Sequence, residues 1–478
     1  MSEIPFIGPS YVYRSLDFDA QRSINLMLVK SESETSKDIG AMEGTPGLLS
    51  FCDFNVNKIR GGHKAKGRVF FCAGNTMFEL FADGTYSSLG TINTTSGLVS
   101  MADNGLELCI VDGPDGWILT LADNTFTQII AGGWSGADMV TFIDGYFIFN
   151  DPQTGKYYIS ALYSGGTIDA LEFATAEGSP DDLVGIESLR RELWLFGENS
   201  IEVAQNTGDA DFPFQRVQGA FIEYGCVSKG TIAKTANTLF WVSADRQGNG
   251  MVFMTEGYGP RKISTNAVEQ ALQSYADLSD AWAYTYQENG SFYYVLNFAS
   301  ADTSWVYDIN LDQWHERAYF NTSTGLYERH RGNVHVFAFG KHLIGDYANG
   351  KVYEQSLSLL DDDGDLIRRE RTCPHLSNAS EDQLFHERLT LVMQTGIGLN
   401  DGATEDVTPY VMLQWSDDGG YTWSNEHWKE AGKIGKYKWR VYWNRLGRSR
   451  DRVYRVVTSV RCKVFFISAD LNAKAGMH

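Results

Sequence analysis

Apolar positions along the chain fall into short runs, and most runs are followed by a turn rich in Gly, Asn or Asp and then by a second apolar run. Residues 68–72 and 77–81 form one such pair, and residues 106–111 and 117–121 form the next. Short apolar runs joined by tight turns of this composition are typical of antiparallel β-hairpins. The pattern therefore predicts an all-β protein.

The hairpins recur at a regular interval. Seven of them have central apolar residues at Phe70, Leu108, Phe147, Trp194, Phe240, Tyr293 and Val336. These centres lie 38 to 53 residues apart. A period of about 40 to 50 residues with several strands in each unit is the sequence signature of a β-propeller. We therefore predict a β-propeller of six or seven blades; a long sandwich or two stacked barrels are the alternatives.

The pattern changes after Ser356, where an acidic turn at residues 361–365 is followed by a charged strand that begins at Arg368. Apolar runs between residues 389 and 467 predict a further antiparallel sheet. We expect three parts: an N-terminal arm (residues 1–50), the β-propeller (51–357) and a C-terminal, antiparallel, β-sandwich-like domain (358–478). The arm is expected to pack beside the ring of blades or to close it.

Charge is distributed unevenly. The formal net charge is −20, which opposes general binding to nucleic acid because phosphates are repelled by an acidic surface. Residues 426–463, however, contain 12 Lys or Arg against three Asp or Glu, a local charge of +9, so the rest of the chain carries −29. Such asymmetry predicts a basic face with a partner of its own.

No apolar run approaches the roughly 18 residues that span a bilayer, and the N-terminal residues have no basic, apolar leader, so we expect neither membrane insertion nor secretion. The six cysteines are scattered without a CxxC spacing, which favours free buried thiols in a chain that folds in cytoplasm.

Residues 416–423 fit the Ser-x-Asp-x-Gly-x-Thr-Trp pattern of an Asp box, with Ser416, Asp418, Gly420 and Trp423 in its key positions. In this motif the polar side chains bond to the backbone of a hairpin turn and the Trp packs beneath it. We therefore predict a structural hairpin at this position, without chemistry.

Catalytic residues are not evident. A glycosidase needs two carboxylates at a defined separation, and the candidates Asp112, Asp144 and Glu198 all lie at predicted blade turns, where acids are common. The sequence has no phosphate-binding loop, nucleophile elbow or zinc-protease motif. We predict no enzyme activity, no catalytic residue and no cofactor; a carbohydrate-binding or glycan-cleaving propeller is the alternative.

Metal binding is not predicted either. His330, His335 and His342 are close in sequence, but a His that shares a strand face with two Phe residues is more often buried and hydrogen bonded than a zinc ligand. The acidic turn at 361–365 lacks the spacing and the terminal Glu of an EF-hand.

A basic tract at residues 439–455 interleaves arginines with aromatic residues. Strict alternation in an extended segment would place Arg448, Arg450 and Arg452 on one face. We predict that these three residues and Arg445 form an oligomer or adaptor interface. A solvated or internally paired sheet face and direct DNA contact remain open.

Several segments resemble the packaged-DNA stabilisation proteins of short-tailed bacteriophages. They are residues 24–27, 44–48, 207–216, 219–226, 305–308, 313–317, 340–347, 368–376 and, most specifically, 441–452. The resemblance extends over nearly the whole chain and is densest between residues 190 and 460.

The resemblance implies a structural protein of the phage tail hub, or nozzle. About six copies would form a ring beneath the portal and the adaptor and would close the DNA channel after packaging. The expected partners are further copies of the chain, the portal-adaptor ring, tailspike or fibre proteins, the needle or plug, and the double-stranded DNA that passes through the channel. The expected location is the virion tail, after assembly in the cytoplasm of the host bacterium.

Overall fold

The computed structural model describes residues 2–33, 38–176, 178–209, 211–235, 237–378, 382–400 and 402–476. These ranges contain 44 β-strands, two short α-helices and one 3-10 turn at Lys229–Thr231. The all-β prediction is therefore confirmed.

Five strands precede the first blade. They are β1 (Ser2–Ile4), β2 (Tyr11–Val12), β3 (Ala20–Ile24), β4 (Leu26–Lys30) and β5 (Gly40–Gly44).

The next strand, β6 (Gly47–Asp53), is followed by five blades, each made of four consecutive antiparallel strands. Blade 1 contains β7 (Ile59–Ala65), β8 (Arg68–Ala73), β9 (Thr76–Leu80) and β10 (Tyr86–Thr91). Blade 2 contains β11 (Ser100–Asp103), β12 (Glu107–Val111), β13 (Gly116–Thr120) and β14 (Phe126–Gln128). Blade 3 contains β15 (Val140–Ile143), β16 (Tyr146–Asn150), β17 (Lys156–Ile159) and β18 (Phe173–Thr175). Blade 4 contains β19 (Leu183–Leu189), β20 (Glu192–Gly197), β21 (Ile201–Asn206) and β22 (Phe214–Ile222). Blade 5 contains β23 (Ala233–Thr235), β24 (Thr238–Ala244), β25 (Gly250–Glu256) and β26 (Gly259–Lys262).

Helix α1 (Asn266–Ser274) separates blade 5 from blade 6. Blade 6 contains β27 (Ala281–Glu288), β28 (Ser291–Phe298), β29 (Thr303–Asp308) and β30 (Gln313–Glu316). A small hairpin follows, made of β31 (Ala318–Asn321) and β32 (Leu326–Arg329). Blade 7 contains β33 (Gly332–Ala338), β34 (Lys341–Asp346) and β35 (Lys351–Ser356), and its fourth strand is β6 from the start of the chain.

The blades form a closed ring. The first strand of each blade lies on the inside, and β33 of blade 7 contacts β7 of blade 1. Within the described ranges, six of the blades are separate four-stranded sheets, and blade 6 is a four-stranded unit that continues into a larger sheet. The β-propeller prediction is confirmed. Because β6 pairs with β35 through Gly47–Ser356 and Leu48–Gln355, the N-terminal part of the chain closes the ring.

Tight turns connect the first two strands of several blades. Asp144 and Gly145 both have positive φ (51° and 100°), as do Asn289 and Gly290 (51° and 83°). Two successive residues with positive φ form the type I′ turn, whose twist matches that of the flanking strands. These Asp-Gly and Asn-Gly pairs therefore mark the ends of the innermost strands of blades 3 and 6.

The C-terminal part begins with β36 (Arg369–Thr372), β37 (Leu376–Ser377) and β38 (Leu384–Met393). Helix α2 (Thr404–Val407) and six further strands follow: β39 (Tyr410–Ser416), β40 (His427–Glu430), β41 (Val441–Asn444), β42 (Arg448–Ser449), β43 (Asp451–Thr458) and β44 (Phe465–Ala475).

These strands form two sheets with a shared core. One sheet has the order β4-β5-β44-β38-β41, with β1 and β42 at its sides. The other runs through β3-β36-β43-β39-β40 and joins blade 6 at β30. Leu413 and Val456 of the second sheet and Phe466 and Trp443 of the first lie in one buried cluster. The predicted β-sandwich is confirmed, and strands from residues 2–44 belong to both of its sheets.

Candidate functional site

One edge of the sandwich is formed by residues 427–450, which we call the basic edge. Strand β40 is the last strand of one sheet, and β41 is the last strand along the path of the other. The loop between β40 and β41 connects the two sheets, and residues 433–440 within it are all exposed. The segment thus lies at the border of both sheets, where it has no covering strand.

The basic edge has many cations and few anions. Eight of its Lys and Arg side chains are exposed, and none of them forms an ion pair with a residue in the described ranges: Lys429, Lys433, Lys436, Lys438, Arg440, Arg445, Arg448 and Arg450. Glu430 is the single acid in the segment. Unpaired charges of one sign create a positive field that attracts an acidic partner.

Four large aromatic side chains are exposed among these cations. The exposed fractions are 52% for Trp428, 73% for Tyr437, 43% for Trp439 and 40% for Tyr442. The indole N–H of Trp439 donates to the backbone oxygen of Glu430 over 2.8 Å, which holds the ring against β40. Exposed aromatic side chains interleaved with Arg and Lys are typical of protein interfaces, where aromatic residues and Arg are enriched.

The four predicted arginines divide into two groups. Arg445, Arg448 and Arg450 are exposed. Arg452 is buried, with 2% of its side chain exposed, and its Nε and Nη2 atoms donate to Asp417 over 2.6 and 2.8 Å. The expectation of one shared face is wrong for Arg452, because β42 ends at Ser449 and a new strand begins at Asp451, with a bend at Arg450 between them.

A polar cluster in the sandwich interior surrounds Arg452. Tyr454 Oη and His386 Nδ1 are 2.9 Å apart, and His386 Nε2 lies 2.9 Å from Ser449 Oγ. Burial, aided by the neighbouring Arg452 guanidinium, lowers the pKa of His386 to about 4. Sequence reasoning missed His386 and Asp417, because nothing local in the sequence indicates that these residues meet.

The Asp box is a hydrogen-bonded turn. Ser416 Oγ donates to Asp418 over 2.6 Å and accepts from the Gly420 N–H over 2.8 Å. Hydrogen bonds from Ser416 and Thr422 lower the pKa of Asp418 to about 2. Trp423 lies under the Arg455 guanidinium, whose central carbon is 3.9 Å from the ring centroid. All of these contacts lie within the sandwich, so the turn has a structural role there.

The candidate carboxylates for glycan chemistry are distributed over blades 2, 3 and 4. Asp112 is buried at the end of β12 and accepts a hydrogen bond from the Thr94 hydroxyl. Asp144 accepts from Arg191 over 2.8 Å, and Glu198 is exposed between β20 and β21. The first two carboxylates thus have partners that stabilise turns.

The histidine cluster is a half-buried pair of His335 and His342 rather than a triad. His335 Nε2 and His342 Nδ1 are 3.0 Å apart, and both rings contact Tyr286. Burial lowers the pKa of His335 to about 3. In the described part of the chain, no group of three or more His, Cys, Asp or Glu side chains is arranged to hold a metal ion. The same ranges contain no helix that is long and apolar enough to cross a membrane.

A propeller whose ring is closed by β6 and a sandwich joined to blade 6 define the class of the protein: an all-β chain that combines a β-propeller with a β-sandwich. Two family models identify the chain more closely. Residues 2–358 match the model described as bacteriophage P22 Gp10, beta-propeller, and residues 368–474 match bacteriophage P22 Gp10, beta-sandwich. The chain therefore belongs to the P22 Gp10 family.

A curated relative extends over both domains. The tail hub protein gp10 of Salmonella phage P22 is 22% identical over 474 residues, which cover 96% of this chain and 97% of that protein. Solved propellers are more distant. The N-terminal domain of Nup159 is 10% identical with a TM-score of 0.41 (68% of this chain, 98% of that chain). The WD40 propeller of Doa1 is 11% identical with a TM-score of 0.39 (65% and 96%).

Proposed function

We propose that this chain is a structural component of the tail hub of a short-tailed bacteriophage. The observation that carries the proposal is the match of both domains, in the same order and over nearly the whole chain, to a protein named as a tail hub protein. The parts of the proposal are an N-terminal arm at residues 1–50, a propeller at 51–357 and a sandwich at 358–478. The hub works by shape and stiffness, without catalysis or a cofactor.

In this role, about six copies form a ring beneath the portal and the adaptor, and the ring closes the DNA channel after packaging. It retains the packaged DNA and opens for ejection. The charge of the chain supports a role as the wall of a DNA channel, because the net charge outside residues 426–463 is −29. An acidic wall lets a duplex slide, whereas a basic wall would hold it through the release of counterions.

The partners follow from the same proposal. Further copies of the chain and the adaptor ring contact the exposed Arg445, Arg448 and Arg450, which have no ion pair in the described part of the chain. Tailspike or fibre proteins and the needle or plug attach to the same ring. The hub is assembled in the host cytoplasm and remains in the virion tail.

Quantitative mass spectrometry of purified virions tests the proposal. We expect about one copy of this chain for every two portal subunits, and particles made without it should package DNA and then lose it. Absence of the chain from particles would contradict the hub assignment. A glycan array and a hydrolysis screen with host surface polysaccharide would then examine the carbohydrate alternative.

A further inference from the structure

Blades 3 and 4 carry an excess of acids along residues 169–223, which we call the acidic rim; Asp182, Glu198 and Glu223 lie at one end of the strands of blade 4, and Asp209 and Asp211 lie at the other end. This segment contains 12 acidic and three basic side chains, a net charge of −9, whereas the basic edge has a net charge of +7. Six of its acids are exposed and form no ion pair with a described residue: Asp169, Asp182, Glu198, Asp209, Asp211 and Glu223.

Basic side chains within the rim do not neutralise these acids. Arg216 pairs with Glu202, and Arg191 pairs with Asp144 of blade 3. Arg190 donates to the backbone oxygen of Asn237 on blade 5. The six exposed acids of the acidic rim are therefore left without an ion-pair partner in the described part of the chain.

Exposed apolar side chains lie on the acidic rim as well. The exposed fractions are 82% for Leu171 and 44% for Phe173, and 42% for Tyr224, which directly follows the rim. The basic edge likewise carries exposed rings, among them Tyr437 and Trp428. Each surface thus combines one sign of charge with large apolar groups, and the two signs are opposite.

The two surfaces lie in different parts of the molecule. The basic edge includes β40, the last strand of a sheet that begins at β27 on the inside of blade 6 and runs through β30 into the sandwich. The acidic rim lies on blades 3 and 4, away from the blade that carries the sandwich. No ion pair joins residues 169–223 to residues 427–450 within the described ranges.

We propose that the basic edge of one copy docks on the acidic rim of a second copy. The inference deepens the proposed hub function, on which it rests, by naming the two surfaces that meet between copies. Such a contact joins two different patches, so it is head-to-tail and repeats until a ring closes. The opposite charges orient the copies, and the exposed aromatic and aliphatic side chains are buried in the contact.

Charge reversal of each surface, tested first alone and then with both variants together, examines this contact in phage particles. One variant reverses the basic edge through Lys433→Glu, Lys436→Glu and Lys438→Glu. A second reverses the acidic rim through Asp182→Lys, Glu198→Lys and Glu223→Lys, at one end of blade 4. All six side chains are exposed and have no ion pair with described residues, so both purified variants should melt at the wild-type temperature.

Each variant alone should reduce the number of hub copies per particle by about tenfold or more, because like charges then face each other at every contact. Expression of both variants in the same cell should restore the copy number, since an alternating ring pairs reversed edge with reversed rim and native edge with native rim. The control Lys30→Glu, Lys66→Glu and Arg246→Glu makes the same charge change at scattered exposed positions and should be incorporated normally.

Three outcomes would overturn the docking and leave the hub function standing: normal incorporation of either variant alone, loss of both without rescue by co-expression, or equal loss in the control. Loss without rescue would point to an acidic protein or nucleic acid as the partner of the basic edge. Absence of the wild-type chain from particles would instead overturn the hub function itself.

Discussion

Ile24 of β3 pairs in parallel with Glu316 of β30, and this pairing joins the outer strand of blade 6 to the sandwich. The other pairings between named strands in the described ranges are antiparallel. The Asn25 N–H donates to the Glu316 backbone oxygen over 2.9 Å, and the Glu316 carboxylate accepts from Arg22 at both oxygens. One residue of the propeller therefore holds the N-terminal strand through its backbone and its side chain.

Replacement of Glu316 by Ala should weaken the junction between the two domains. The carboxylate accepts from Arg22 Nη2 over 2.6 Å and from Ser10 Oγ over 2.9 Å, and Glu316 is buried. Loss of a buried charged acceptor should lower the free energy of unfolding by about 2 kcal/mol. Denaturant unfolding followed by tryptophan fluorescence measures the change. Glu256→Ala, at an exposed acid without an ion pair, is the control, and equal stability of the two variants would contradict the prediction.

Arg450→Ala and Arg452→Ala should have very different effects on the stability of the fold, although the two residues are only two positions apart. Arg452 is buried, bidentate to Asp417 and a donor to the Leu446 backbone oxygen, so its removal leaves a cavity and an unpaired buried acceptor and should cost about 2 kcal/mol of folding free energy. Arg450 is exposed, and its removal should change stability by less than about 0.5 kcal/mol. Thermal melts of the purified full chain measure both. If Arg452→Ala melts at the wild-type temperature, the buried Arg452 contributes little to stability and the prediction is wrong.

His386 should make the sandwich sensitive to acid. Its pKa is lowered to about 4 in the folded protein, chiefly by burial, whereas an unfolded His has a pKa near 6.5. The folded state therefore favours the neutral ring, so its contribution to stability is complete above about pH 6.5 and is lost as the pH falls towards 4.

His386→Gln cannot titrate, and its melting temperature should fall less than that of the wild type between pH 6.5 and pH 4. Other buried histidines remain in both proteins, so the difference between the two plots of melting temperature against pH isolates the contribution of His386. His427→Gln, at an exposed position, should follow the wild-type curve. Parallel curves for wild type and His386→Gln would refute the prediction.

Gly47→Ala should disturb the closure of the ring. A Cβ atom at Gly47 would lie 2.4 Å from the Asp361 backbone oxygen and 2.7 Å from that of Leu359, where the linker to the sandwich crosses β6. Overpacking against backbone atoms should cost about 1 to 3 kcal/mol. At Gly132 an added Cβ meets nothing within 4 Å, so Gly132→Ala should melt like the wild type. Equal melting temperatures of the two variants would exclude the clash.

The local parts of the fold could be predicted from the sequence, because each blade is a series of hairpins whose strands are neighbours in the chain. The Asp-Gly and Asn-Gly turns and the apolar runs indicate these hairpins directly. Helix α1 also has a local start signal, because the Thr265 hydroxyl caps it by accepting from the Val268 N–H. The pairing of β3 with β30 and β36 could not be predicted, because almost 300 residues or more separate the partners and no local pattern records them.

At the candidate site, the sequence indicated the cluster of arginines but not the burial of each one. Alternation assigns Arg450 and Arg452 to the same face, yet the bend after Ser449 sends Arg452 inwards to Asp417. That bend depends on the pairing of β42 with β38 and of β43 with β39, which are contacts between distant segments. The acidic rim has no sequence motif that would single it out.

Several strands from the beginning of the chain pair with strands from its C-terminal part, which the ribosome makes last. Strand β1 pairs with β44, β3 with β36, and β6 with β35, so the earliest strands to be synthesised wait for partners made at the end. Blades 1 to 5 can fold during translation from local hairpins, and β2–β3 and β4–β5 can pair locally, whereas β1 and β6 lack their partners until the end of synthesis. A ribosome that stopped before Phe465 would release a chain without its β44, so translation itself keeps unfinished subunits from acquiring a complete sandwich.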